Sequence, residues 1–219
     1  VDIGRGAGLP TAALLTNMDV PLGNAVGNSL EVIEAMAVLR GAGPADLREV
    51  SLSLAAEMLR LAGIGTREEC RTRAEAAVAD GSAFETFARM TAAQGGDTAV
   101  LDDPRKFPQA KHQCVLTAKE TGYIARLDAE TVGRAAVLLG AGRADKNAAI
   151  DHAAGIYLDK KYGDPVTMGD ALATLYAESE ERLTAGLARL GDAYAIDAVS
   201  PAPQKLIYGT VDAEGYHDR

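Results

Sequence analysis

The sequence is poor in several residue types that mark special classes of protein. It contains no Trp, 3 Phe and 2 Cys in 219 residues. So few aromatic side chains offer little surface on which nucleic-acid bases can stack. Cys70 and Cys114 lie far apart and neither belongs to a CxxC pair, so the sequence predicts neither a zinc site nor a disulfide framework. We expect two reduced thiols, as in a cytoplasmic protein.

Positive charge and long apolar runs are also scarce. The chain has 22 Lys and Arg against 31 Asp and Glu, a net charge of -9, which repels a phosphate backbone. No apolar run approaches the roughly 20 residues that a membrane helix needs. The opening VDIGRGAGLPTAALLT lacks the layout of a secretory signal. We therefore expect neither nucleic acid nor a membrane as a partner.

The hydrophobic content of 47% and the charged content of 24% are typical of a globular protein. The first residue is Val1 rather than Met, so we expect the chain to be a portion of a longer protein. The opening VDIGRGAG is typical of the end of a strand and its turn. Residues 4–8, GRGAG, have an alternative interpretation as a phosphate loop, but they lack the Lys-Ser/Thr ending of such loops.

The chain up to residue 104 has the periodicity of helices. One helix should follow Asn28 and end before GAGP, and the next should carry an apolar stripe that includes Val50, Leu54 and Met58. TREE (residues 66–69) and SAFE (residues 82–85) both have the spacing of a capping box, so each predicts a helix start. These two helices should end near Gly81 and near Gly95.

After DDPRKFP, residues 102–108, the pattern changes to short β-rich runs. QCVLTA, GYIARL and GIYLD predict strands, and DPVTMGDALATLYA predicts two more, while helices are expected near residues 129–139 and 179–190. We therefore predict two domains, residues 1–104 and 105–219. The predicted fold class is α/β plus α+β: the C-terminal part of a large mixed α/β domain, mostly helical here, followed by a small β-rich, barrel-sandwich-like α+β domain.

The segment TNMDVPLGNAVGNSLEVIEAM, residues 16–36, combines a loop with a helix. Gly23, Gly27 and Asn28 can adopt left-handed or strained backbone angles, which turn loop carbonyls inward, and Glu34 can point back from the helix. Carbonyl and carboxylate oxygens together suit a hard cation. The simpler interpretation is a turn followed by a capping box formed by Asn28 and Glu31. Both interpretations remain open from the residues alone.

The same segment resembles a known family. ALLTNMDVPLGNAVGNSLEVIEAMAVLRGAGPADLREVSLSLAAEML is similar to the thymidine phosphorylase and pyrimidine nucleoside phosphorylase family, whose signature reads close to TDM-QPLG-AVGN-LEV-EA. GYIARLDAETVGRAAVLLGAGR, DHAAGI and GDPVTMGDALATLYA resemble the C-terminal domain of that family. Asn17, Asp19 and Val20 depart from the signature. Asn17 and Asp19 exchange acid for amide around Met18, and Val20 replaces a Gln, which leaves the resemblance intact.

The resemblance implies phosphorolysis of thymidine or deoxyuridine to the free base and 2-deoxyribose 1-phosphate, the reaction of a pentosyltransferase in nucleoside salvage. It also implies a cytoplasmic homodimer. Members of the family place their phosphate and base contacts in an N-terminal half, which precedes the segment corresponding to Val1. We therefore expect no catalytic or substrate-binding residue in this chain, and no activity without that missing half. His112, His152 and His217 belong to no motif and are expected to be ordinary histidines.

The resemblance further implies a potassium ion, and no organic cofactor. The family's ligand positions align without gaps onto Leu22 and Ala25, through their carbonyls, and onto the Glu34 carboxylate. The remaining ligands should come from the missing half.

Two alternatives belong to other functional classes. DPVTMGDALATLYA has a sequence pattern similar to that of biotinyl and lipoyl carrier domains. Met168-Gly169, however, occupy the turn where a carrier has its lysine. Lys160 and Lys161 should be solvated. The other alternative is a standalone scaffold domain, and the missing initiator Met and the abrupt start inside VDIGRGAG argue against it. A cut α/β domain should expose parallel strand edges.

Overall fold

The computed structural model describes residues 1–143 and 145–218. The helices in this part of the chain are α1 (Asp2–Gly6), α2 (Asn28–Leu39), α3 (Ala45–Leu61), α4 (Arg67–Ala79), α5 (Ser82–Ala93), α6 (Ala99–Asp102), α7 (Ala129–Leu139) and α8 (Glu180–Gly191), with a 3-10 turn at Pro104–Lys106. The strands are β1 (Ala13–Thr16), β2 (Ala25–Val26), β3 (His112–Thr117), β4 (Gly122–Leu127), β5 (Gly155–Leu158), β6 (Pro165–Val166), β7 (Ala171–Ala177), β8 (Tyr194–Asp197), β9 (Ile207–Asp212) and β10 (Gly215–Asp218). This mixture of helix and sheet confirms the predicted fold class. None of these helices combines the length and the apolar character that crossing a membrane requires.

The chain forms two compact units, and each is assembled from separate segments. The first contains Val1–Asn17, Ala37–Ala93 and Gln204–Arg219, and the second contains Met18–Met36 and Gln94–Pro203. The predicted division between residues 104 and 105 stays a prediction, because these units reflect contacts rather than chain order. A consequence for function is that residues 18–36 belong to the same unit as the β-rich region.

The first unit combines a small antiparallel sheet with a group of helices. Its three strands are ordered β1-β9-β10. Leu52 of α3 packs with Ala74 and Val78 of α4 in a small buried cluster. Thr66 caps α4 as predicted: its hydroxyl accepts the Glu69 N–H, and the Glu69 carboxylate accepts the Thr66 N–H at 2.8 Å.

Other predictions for this unit are wrong. Residues 2–6 are helical rather than the end of a strand, and the Arg5 N–H donates to the Val1 carbonyl at 3.1 Å. Ser82 does not cap α5, because it lies inside the helix and its hydroxyl donates to the Ala77 carbonyl. In the α3 stripe Val50 is buried, but Leu54 and Met58 are 46% and 71% exposed.

The second unit has a larger apolar core between sheets and helices. One sheet has the order β2-β5-β7-β3 and the other has the order β6-β4-β8. α7 and α8 pack on each other. The largest fully buried side chains of this core are Ile124, Leu127, Val132, Leu139, Ile156, Leu158, Leu175 and Leu190.

The strands of this unit confirm the predicted β-rich region. β3, β4 and β5 coincide with QCVLTA, GYIARL and GIYLD, and β6 and β7 flank Met168-Gly169. The expectation of parallel strand edges is wrong for the described residues, in which every strand pairing is antiparallel. Short connections such as the turn between β6 and β7 suit antiparallel neighbours, whereas parallel pairs need a long crossover.

Candidate functional site: a carboxylate that caps a loop

The candidate site begins in residues 17–24, which we call the Pro-Gly loop, and ends in α2. Two glycines give the segment its path. Gly23 has φ +69°, in the left-handed region that favours glycine. At Gly27, with φ +141°, an added Cβ would lie 2.5 Å from the Ala154 carbonyl oxygen. Asn28, expected to share this strained geometry, is instead the first residue of α2, and no residue other than glycine has a positive φ in the described chain.

Glu34 points from α2 back to the Pro-Gly loop, as the sequence predicted. Its Oε1 accepts the Asn24 N–H at 3.0 Å and the Ala25 N–H at 3.2 Å, and its Oε2 lies 3.2 Å from the Asn24 nitrogen. Glu34 is 8% exposed, so the carboxylate is buried. Its direct partners in these contacts are neutral backbone donors, which leave the negative charge uncancelled.

The pairing of β2 fixes the direction of the Ala25 carbonyl. Ala25 lies opposite Tyr157 of β5, and Val26 lies opposite Ile156. The Leu158 N–H donates to the Asn24 carbonyl at 2.7 Å, so Asn24 and Leu158 form a hydrogen-bonded pair. Pairs alternate in an antiparallel ladder, and both backbone groups of Ala25 therefore point away from β5. The carbonyl of Ala25 is thus directed to the edge of the sheet where its N–H meets Glu34.

The capping box predicted from Asn28 and Glu31 is only partly correct. The Glu31 carboxylate accepts the Gly27 N–H at 2.9 Å, which satisfies a donor at the start of α2. The Asn28 amide does not cap the helix but donates to the Ala141 carbonyl at 2.9 Å. A helix cap and the Glu34 contact therefore coexist in this segment, and the two interpretations drawn from the sequence do not exclude each other.

Lys161 also contacts the Pro-Gly loop, which sequence reasoning missed. Its Nζ donates to the Gly23 carbonyl at 2.7 Å, so the expectation that Lys161 is merely solvated is wrong. Lys160, its half-buried neighbour, donates to the Pro165 carbonyl at 3.1 Å. No pattern in the sequence joins Lys161 to Gly23, because 138 positions separate them.

The donor set of Ala25 and Glu34 fits a hard monovalent cation. A buried carboxylate that accepts backbone N–H groups keeps lone pairs available, and the Ala25 carbonyl is directed to the same sheet edge. A single carboxylate balances one positive charge. Leu22, the third predicted ligand, lies in the same loop two residues before Asn24, with its side chain 40% exposed. The predicted ligand residues therefore share one segment, and two of them meet directly.

A second cluster of ionisable groups lies in the first unit. Asp212, Glu214 and His217, at the turn between β9 and β10, have possible ligand atoms within 4.8 Å of one another. The Asp212 carboxylate accepts the Glu214 N–H at 2.9 Å, which with the nearby His217 and Arg60 holds the pKa of Asp212 below its usual range. His217 Nε2 lies 3.0 Å from Asp212, and Arg60 Nη2 donates to it at 3.3 Å. This carboxylate is already compensated by protein groups.

The remaining candidates from the sequence are the glycine-rich residues 4–8 and the histidines. The N–H groups of Ala7, Gly8 and Leu9 donate to carbonyls of Ile3, Arg5 and Gly4, so residues 4–8 do not present them as a phosphate loop. His112 lies 3.9 Å from Glu180, and the His152 carbonyl accepts the Ser29 N–H at 3.2 Å.

Comparison with known proteins first gives a match to a protein-family model. Residues 123–197 match the family model described as the pyrimidine nucleoside phosphorylase C-terminal domain. These residues lie in the second unit and include β4, α7, β5, β6, β7, α8 and β8.

Curated relatives extend the similarity over most of the chain. It is 49% identical over 182 residues to a pyrimidine-nucleoside phosphorylase of Geobacillus stearothermophilus, covering 83% of this chain and 42% of that protein. It is 44% identical to the Bacillus subtilis pyrimidine-nucleoside phosphorylase, covering 95% of this chain and 48% of the relative. It is 42% identical to a thymidine phosphorylase of Mycobacterium tuberculosis, covering 94% and 46%.

The chain belongs to the thymidine phosphorylase and pyrimidine nucleoside phosphorylase family, as its sequence signature predicted. It spans a little under half the length of the curated relatives named here.

Proposed function

We propose that the protein is a pentosyltransferase that phosphorolyses pyrimidine nucleosides. A phosphate oxygen attacks the anomeric carbon of the sugar, the C–N glycosidic bond breaks, and its electron pair leaves with the base, which takes up a proton. The products are a free pyrimidine and a pentose 1-phosphate. The observation that carries this proposal is 44% identity to the B. subtilis pyrimidine-nucleoside phosphorylase across 95% of the chain. We propose thymidine as a substrate, because one relative is named a thymidine phosphorylase, and deoxyuridine, because the family resemblance implies it.

The proposed role of this chain is to supply the C-terminal domain and part of a cation site. Leu22, Ala25 and Glu34 would hold a potassium ion, and two of these residues already combine a buried carboxylate with an outward carbonyl. When bound, the ion supplies a fixed positive charge beside the Pro-Gly loop. We assign the phosphate and base contacts to the rest of the enzyme, so the 219 residues alone should not release base. We also propose a cytoplasmic homodimer for the whole enzyme.

The carrier alternative finds no support in the turn where its lysine should stand. Met168 occupies that turn and is 69% exposed, next to Gly169 with φ +94°. The nearby Lys160 and Lys161 both donate to backbone carbonyls. A domain without an attachment lysine at its hairpin has no site for a swinging arm.

A chimeric enzyme tests the proposed reaction. This chain replaces the matched 48% of the B. subtilis relative, and release of thymine from thymidine is measured with and without phosphate. We expect phosphate-dependent release by the chimera and none by the 219-residue chain alone. The unmodified relative is the positive control. A folded, soluble chimera that releases no base at saturating phosphate would contradict the proposal.

A further inference from the structure

Lys161 and Glu34 bind the same peptide unit of the Pro-Gly loop. The carbonyl of Gly23 and the N–H of Asn24 belong to one peptide bond. Lys161 Nζ donates to that carbonyl at 2.7 Å, and the Glu34 carboxylate accepts that N–H at 3.0 Å. A trans peptide is planar and its C=O and N–H point in opposite directions. A cationic group therefore holds one end of this peptide plane, and an anionic group holds the other.

The backbone of Lys161 is itself fixed by the turn that follows β5. The Lys161 N–H donates to Asp164 Oδ2 at 2.7 Å, and the Asp164 N–H donates to the Lys161 carbonyl at 3.0 Å. The Gly163 N–H donates to the Ile124 carbonyl at 2.9 Å, and the Ile124 N–H donates to the Asp164 carbonyl at 3.0 Å. Ile124 is fully buried in the core of the second unit. The ammonium group of Lys161 therefore extends from a rigid base.

The opposed directions of the two contacts separate the ammonium from the carboxylate. Because Lys161 approaches the oxygen side of the peptide and Glu34 approaches the N–H side, the lysine does not cancel the charge of Glu34 by direct pairing. Hydrogen bonds to charged groups are stronger than neutral ones. The two contacts together fix the plane of the Gly23–Asn24 peptide and, through it, the start of β2.

We propose that Lys161 is a positioning residue for the cation site: by holding the Gly23 carbonyl it sets the peptide plane that orients the Glu34 carboxylate and the Ala25 carbonyl toward the ion. This inference rests on the cation site of the proposed function. It couples cation affinity to a turn of the β-rich domain, since Lys161 follows β5 and is anchored to β4.

Hydrogen exchange of the 219-residue chain tests the positioning directly. In Lys161→Met the Asn24 and Ala25 amides should exchange at least about tenfold faster, because a charge-assisted hydrogen bond that orders them is lost. Lys160→Met is the matched control, since Lys160 contacts Pro165 rather than the loop. Lys161→Arg, which keeps a cationic donor, should restore slower exchange. Unchanged amides of buried Leu175 exclude global unfolding as the cause.

Binding of Tl⁺, a spectroscopic substitute for K⁺, tests the link to the ion. The chimeric enzyme is used, because it holds the ligands of both halves. Followed by thallium NMR, Tl⁺ should bind its Lys161→Met variant about tenfold more weakly than the unmodified chimera and its Lys160→Met variant with unchanged affinity. Exchange at Asn24 and Ala25 that is the same in Lys161→Met and wild type would overturn the inference. So would faster exchange with unchanged Tl⁺ affinity.

The experiments distinguish failure of the cation site from failure of the proposed reaction. Absence of Tl⁺ binding in the unmodified chimeric enzyme overturns the cation site, and the positioning role with it. Absence of thymine release by the chimera overturns the proposed reaction, whereas the exchange and Tl⁺ measurements do not depend on that reaction.

Discussion

Glu34 in the second unit and Asp212 in the first unit are both carboxylates that accept backbone N–H groups, but they differ in whether charged side chains also contact them. The direct partners of Glu34 are the N–H groups of Asn24 and Ala25, which are neutral. Asp212 accepts the Glu214 N–H but also contacts Arg60 and His217. Backbone donors stabilise a carboxylate without cancelling its charge, whereas an arginine cancels it. Among these two, Glu34 is the better candidate for holding a cation.

The surroundings of each carboxylate follow from the units that hold them. The first unit is rich in ion pairs, and Arg60 alone bridges Glu57 at 2.8 Å and Asp212 at 3.3 Å. In the second unit Glu34 is 8% exposed, and a buried charge without a charged partner needs strong hydrogen bonds. The number of charged neighbours, rather than the presence of a carboxylate, therefore separates a structural ion pair from a candidate ligand.

Glu34→Ala should have the largest effect on stability. It leaves the N–H groups of Asn24 and Ala25 without their acceptor. Each buried unsatisfied donor costs about 1–3 kcal/mol, so the free energy of unfolding should fall by about 2–6 kcal/mol. Urea denaturation followed by circular dichroism measures this loss. Glu34→Gln keeps one acceptor oxygen and should lose less. If Glu34→Ala unfolds at the wild-type urea concentration, the account of this carboxylate is wrong.

The contribution of Asp212 to folding stability should depend on pH. Its pKa is lowered in the folded state, chiefly by the Glu214 N–H and then by His217, so the ionised form is the one that folding stabilises. That contribution is present above the unfolded pKa of about 3.9 and is lost as the pH falls through the lower folded value. The difference in Tm between wild type and Asp212→Asn should therefore be smaller at about pH 3 than at about pH 5. A difference that grows on acidification would contradict the assigned contacts.

Thr66→Ala should have the smallest effect of the three. The substitution removes the hydroxyl that accepts the Glu69 N–H at 3.3 Å at an exposed helix start, so a backbone donor loses its acceptor there as in Glu34→Ala. Water replaces lost partners there, so removing the cap should cost about 1 kcal/mol of unfolding free energy. Thr66→Ser, which keeps the hydroxyl, is the matched control and should lie close to wild type. A loss for Thr66→Ala as large as that for Glu34→Ala would show that burial does not separate the two sites.

Local patterns predicted much of the fold. The runs that became β3, β4 and β5, and the capping box at Thr66, are determined by alternation and by contacts within a few residues. The stripe on α3 shows the limit of that reasoning. Its periodicity is helical, yet Met58 is exposed while Glu57 is buried between Arg60 and Arg67. Periodicity finds a helix but does not say which face the neighbours will cover.

The contacts of the candidate site also divide into local ones, which the sequence predicts, and distant ones, which it does not. Glu34 lies 10 positions after Asn24, so one turn and one helix are enough to predict their approach. Lys161 reaches Gly23 only through pairing of β2 with β5, and Asp212 meets Arg60 across 152 positions. Such contacts depend on tertiary structure and leave no local signal. His217, by contrast, follows Asp212 across a two-residue hairpin turn, so the alternation of β9 and β10 contained a signal for that pair.

The measurement that tests the central claim most directly is the potassium dependence of thymine release by the chimeric enzyme carrying Glu34→Gln. The account predicts that stimulation by potassium is lost in this variant and kept in Asp212→Asn, because Glu34, unlike Asp212, holds an uncancelled charge beside an outward carbonyl. Equal potassium stimulation in Glu34→Gln and in the unmodified chimera would contradict the account.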